Sequence, residues 1–112
     1  MRVLVTVSPR IYRESLAFSI QRGRPDLEVR AAPPEDAELD LAGFRPHLLV
    51  HNDTTPVPRE ALEGVPCRVE MPYSDSMDAR VSAGGEVSRV RDMSTEDLLR
   101  TVAVAATVGG TD

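Results

Sequence analysis

The sequence predicts an α/β domain of three layers, a five-stranded parallel sheet of order 2-1-3-4-5 lying between two layers of helices. Three observations lead to it. Short runs such as Val3-Leu4-Val5-Thr6-Val7 and His47-Leu48-Leu49-Val50-His51 carry apolar, often β-branched residues at consecutive positions, which suits strands covered on both faces. Stretches with helical apolar spacing alternate with these runs. A chain of 112 residues has room for one domain, and folding at that size removes roughly two-thirds of the unfolded surface from water. Residues 1–108 are assigned to that domain and 109–112 to a flexible tail.

The elements follow in order. After the first strand, Ser8 is expected to cap a helix with Pro9 at its first position. Ile11, Tyr12, Leu16 and Ile20 hold the helical spacing, and Gly23 and Pro25 end it. Leu27-Glu28-Val29-Arg30-Ala31 alternates like an edge strand. A weak helix over about 35–42 stops at Gly43, and the third strand is centred on Leu48-Leu49-Val50. A loop at Thr54-Thr55-Pro56-Val57-Pro58 leads into one or two helical turns from Arg59 to Glu63. Val65 to Met71 is the fourth strand. Tyr73 to Ala83 is assigned as a polar helix closed by Gly84-Gly85, and Val87-Ser88-Arg89-Val90 as the fifth strand. Ser94 and Asp97 stand in a capping-box-like arrangement at the start of the last helix, whose apolar face is Leu98, Leu99, Val102, Ala103, Ala105 and Ala106. Right-handed crossovers favour the flavodoxin-like order, which places ligands or chemistry at the carboxyl ends of the first and third strands.

Composition removes several functions. A net charge of −5 argues against binding nucleic acid or an anionic membrane by charge. All thirteen basic residues are arginine, so Schiff bases, lysine general bases and a P-loop clamp are unavailable. Cys67 is the single cysteine, which excludes an internal disulfide and a cysteine-built zinc site. The chain has no apolar run of membrane-spanning length, and its start goes straight into a strand, so a cytoplasmic protein is expected.

Arg2-Val3-Leu4-Val5 through Ser8, followed by Ile11-Tyr12-Arg13-Glu14-Ser15-Leu16, resembles the opening of the receiver domains of bacterial two-component response regulators. Pro46-His47-Leu48-Leu49-Val50-His51-Asn52 falls where that family reads PDVVLLD. Gly64-Val65-Pro66 and Ala83-Gly84-Gly85 through Arg91-Asp92-Met93-Ser94-Thr95-Glu96-Asp97-Leu98-Leu99 match further scaffold segments. Receivers hold Mg²⁺ with an acidic pair, accept a phosphoryl group on an aspartate and sense it with a hydroxyl and a lysine, because carboxylate oxygens suit a hard cation and in-line transfer needs an oxygen nucleophile. The resemblance places the acidic pair on Val7 and Ser8, the phosphoacceptor on Asn52, the hydroxyl on Met71, the lysine on Arg91 and the switching aromatic on Ser88. None of these can serve as the family's group does, and Arg91 keeps only the charge.

The resemblance therefore implies a degenerate pseudo-receiver, with no enzyme activity, metal or cofactor, that signals through a protein partner or a second copy of itself. Receivers use the face of the fourth helix, fifth strand and fifth helix for this. Arg80, Arg89, Arg91 and Arg100, with Tyr73 and Met77 as apolar anchors, are the candidate residues. One alternative is a small-ligand sensor at the Ser8, Asn52 and Met71 corner, aided by Arg91 and the helix start at Pro9. Another is phosphorylation of Asp53, although strand alternation turns Asp53 away from the pocket of Asn52. His47 and His51 share a strand face, too far apart to chelate one ion, and are expected to have ordinary partners. Cys67, inside the fourth strand, is expected to be buried and inert.

Overall fold

A computed structural model describes residues 1–52, 57–71, 79–83, 86–90 and 97–101. Strand β1 is Arg2–Val5, followed by helix α1 (Arg10–Gly23) and strand β2 (Glu28–Ala31). A 3₁₀ turn at Pro34–Asp36 leads into α2 (Ala37–Phe44), then β3 (Leu48–Asn52), α3 (Arg59–Glu63) and β4 (Cys67–Met71). Two further strands, β5 (Ala79–Ala83) and β6 (Glu86–Val90), precede a helix over residues 97–101.

The sheet runs β2-β1-β3-β4-β5-β6. Its first four members are parallel, in the expected order. Strand alternation sends Val3, Val5, Val50, Val69 and Met71 to one face, where Leu16 and Ile20 of α1 and Leu98 of the 97–101 helix cover them. Leu4 and Leu49 point the other way, into a second core with Leu41 and Phe44 of α2 and Val65. All five residues of β3 are buried, as a strand sandwiched between two layers requires.

The far end of the sheet departs from the sequence expectation. Ala79–Ala83 is not helical. It is a strand antiparallel to β4, and β6 is antiparallel to it in turn, with Ala83 opposite Glu86. The expected fifth parallel strand is thus the second arm of a hairpin, and among the described residues the sheet has six strands where five were expected. The physical reason is visible in Ala79-Arg80-Val81-Ser82-Ala83, which alternates with period two across the face. The next two residues are Gly84-Gly85, a pair that favours a two-residue hairpin connection. The remainder of the expected helix, residues 73–78, lies outside the described residues, as do the tail at 109–112 and the Ser94 cap.

Two helix ends also differ. Pro9, not Ser8, is the N-cap of α1, and its carbonyl accepts the Arg13 N–H at 3.0 Å. Ser8 is occupied elsewhere, as described below. Gly43 does not stop α2. The helix continues to Phe44, and Arg45 takes the left-handed turn at φ 54°. One more residue of helix brings Phe44 into the second core, with the Arg30 guanidinium 4.6 Å from its ring centroid, a cation–π contact. Arg45 is held in place through its carbonyl, which accepts from Arg2 Nε at 2.9 Å.

Candidate functional site

The corner at the carboxyl ends of β1 and β3 brings together Val7, Ser8, Asn52 and Met71. Valine at position 7 is fully buried in the first core. Just before it, Thr6 donates from both its N–H and its hydroxyl to the Val50 carbonyl, at 2.8 and 3.3 Å. This fixes the chain as it leaves β1 alongside β3. Asn52 ends β3 with its side chain nearly inaccessible. Its Oδ1 accepts the Ser8 N–H at 2.6 Å, and its Nδ2 donates to the Met71 carbonyl at 3.2 Å. One carboxamide therefore ties the β1–α1 connection to β3 and β4, using its acceptor at one end and its donor at the other.

Sequence reasoning missed Tyr12 as a member of this corner. Its hydroxyl donates to Met71 Sδ at 3.6 Å, and burial raises its pKa above the usual 10.0. Its helical position, one turn beyond Ser8, was the available signal. The corner formed by Val7, Ser8, Tyr12, Asn52 and Met71 thus contains no carboxylate, and its phenol stays protonated at neutral pH. It can bridge backbone groups, but these five residues supply no anionic oxygen for a hard cation. Among the described residues, no group of three or more His, Cys, Asp or Glu side chains is placed to hold a metal. Asp53 and Arg91 lie outside the described residues.

The two histidines occupy opposite ends of β3 and have separate partners. His47 accepts the Arg2 N–H on Nδ1 at 3.0 Å. His51 is buried, and its Nδ1 lies 2.8 Å from the Asn52 carbonyl, so that nitrogen carries the proton and donates. The Cys67 thiol is buried between the sheet and the first helical layer, and desolvation raises its pKa above 9.0 against a smaller opposing influence of Arg68.

The structure divides the expected partner surface. Val81 joins the core on the α1 side of the sheet, so Arg80 beside it faces the opposite side, where it pairs with Glu70 at 3.6 Å. Arg100 belongs to the helix that packs on the α1 side and pairs with Asp97 at 3.2 Å. Arg80 and Arg100 therefore do not share one patch, and strand β5 stands where part of the fourth helix was expected. Arg89 lies opposite Arg80 in the β5–β6 register. Tyr73 and Met77 lie outside the described residues.

Clefts lined by described residues open elsewhere. One, of about 550 Å³, lies at the amino end of the strands between α2 and α3, lined by Arg2, Glu38, Arg45, His47 and Glu60 among others. Another, of about 380 Å³, lies over the sheet beside α3. No helix among the described residues is long and apolar enough to cross a membrane. No family model, curated protein or solved structure matches the chain.

Proposed function

We propose that the chain is a non-catalytic, receiver-like signalling module of the cytoplasm, acting through protein–protein contacts and without aspartyl phosphorylation. The observation that supports this is the Asn52 carboxamide. At the position where the resembled family carries its phosphoacceptor, this chain has a group committed at both ends to backbone partners. A carboxylate there would keep the acceptor half of that bridge and lose the donor half. The same commitment weakens the small-ligand reading of the corner, since the Ser8 N–H and both ends of Asn52 are already engaged.

The test is incubation of the whole chain with acetyl phosphate and Mg²⁺, read by intact mass, alongside light scattering of the untreated protein. The expected result is an unchanged mass and either a dimer or a stable complex with a partner protein recovered from its source. A stoichiometric phosphoryl adduct mapped to Asp53 would overturn the reading.

A further inference from the structure

We infer that the open sheet face beside α3 is a binding site for a small carboxylate with an apolar body, gripped by the Arg68 guanidinium. The inference does not depend on the receiver-like reading and uses none of the side chains of the Asn52 corner.

The alternation of β4 carries it. Cys67, Val69 and Met71 are buried on the α1 side, so Arg68 and Glu70 stand half-buried on the other. The register then sets Ser82 opposite Arg68, Arg80 and His51 on either side of Glu70, and Val87 opposite Ser82. A helix lying on this face would need apolar residues beneath it, as α2 and α3 have at Leu4 and Leu49. Beyond α3 the face is instead polar, and it forms the cleft of about 380 Å³. That volume falls within the usual range for small-molecule sites.

The charges in the cleft are unequal. Arg59 pairs with Glu63 at 3.4 Å and Arg80 with Glu70 at 3.6 Å. Arg68 makes no ion pair among the described residues. One half-buried guanidinium therefore remains, presenting a planar fork of donors that a carboxylate accepts in pairs. Glu63 and Glu70 still border the cleft and repel a dianion more than a monoanion, which favours carboxylate over phosphate. Leu62 and exposed Val87 line the same cleft and supply an apolar surface for the rest of the ligand.

The test is an amide-resolved NMR titration of the whole chain with sodium benzoate, with benzamide and inorganic phosphate as parallel arms. Benzoate should give saturable shifts at Arg68, Glu70, Arg80, Ser82 and Val87, while benzamide gives none. Arg68→Gln should weaken benzoate at least about tenfold, as loss of a charge-assisted pair requires. Glu70→Gln should tighten it, a change of opposite sign that a general loss of folding cannot produce. Absence of saturable benzoate shifts, unchanged affinity in Arg68→Gln, or phosphate binding more tightly than benzoate would each overturn the assignment.

Discussion

Asn52 Oδ1 accepts the Ser8 backbone N–H at 2.6 Å, joining residues 44 apart in the chain. Because the same side chain donates to the Met71 carbonyl, Asn52→Asp is informative. Ionised aspartate keeps the bond to Ser8 but sets a carboxylate oxygen against the Met71 carbonyl. The protonated form restores a donor. The variant should therefore lose about 1–3 kcal/mol relative to the parent at pH 7 and less at pH 4. The sign follows because the native variant binds the proton more strongly than its unfolded chain, so stability rises as pH falls. Urea midpoints of both proteins at the two pH values check it. An equal loss at both would remove the donor argument.

Alkaline stability should fall in a definite window. Burial raises the pKa of Cys67 from 9.0 and of Tyr12 from 10.0. Each group stays protonated to higher pH in the native state than in the unfolded chain. Their contributions are complete below those unfolded values and are lost as pH rises through the raised native ones. Cys67→Ala and Tyr12→Phe should therefore lose less stability than the parent between neutral pH and pH 10.5. In the folded parent at pH 8, an aromatic disulfide reagent should leave Cys67 unmodified until denaturant is added.

Adjacent residues of β5 should respond oppositely to substitution. Val81→Asp places a charge in the first core and should cost at least about 3 kcal/mol. Arg80→Ala removes a partly exposed ion pair and should change stability by less than about 1 kcal/mol. Thermal unfolding measures both. Cross-strand nuclear Overhauser contacts between Val81 and Ser88, partners in the β5–β6 register, provide an independent check of the hairpin.

Leu49→Ala addresses the second core. Leu49 is inaccessible and packs among Leu4, Leu41 and Phe44, so its truncation should cost about 2–5 kcal/mol. Denaturant unfolding with an unchanged slope is expected. A change below about 1 kcal/mol would mean that α2 and α3 do not seal this face.

Strands β1 and β3 were legible because they are buried on both sides, which leaves uninterrupted apolar runs such as Leu48-Leu49-Val50, while β2 and β4 were legible by their period-two alternation. The hairpin was harder to read. Residues 79–83 carry only Val81 as a large apolar side chain, since the opposite face bears Arg80 and Ser82. A strand with one wet face and a polar helix then look alike over five residues. At the corner, residue identities showed that positions 7, 8 and 52 carry no carboxylate. They did not show what Asn52 does, because a carboxamide bridging two backbone groups 44 and 19 residues away leaves no local pattern. Tyr12 escaped for a related reason, its partner Met71 lying 59 residues along the chain.

The β5–β6 excursion preserves direction. Two reversals cancel, so β6 travels with β1, β3 and β4, and Val90 finishes on the same rung as Ala79, itself next in line after Met71 and Asn52. The chain consequently leaves the sheet at the rim where a single parallel strand would have delivered it, but displaced sideways. At roughly 4.8 Å per step, three steps put that exit about 14 Å from Asn52 instead of about 10 Å.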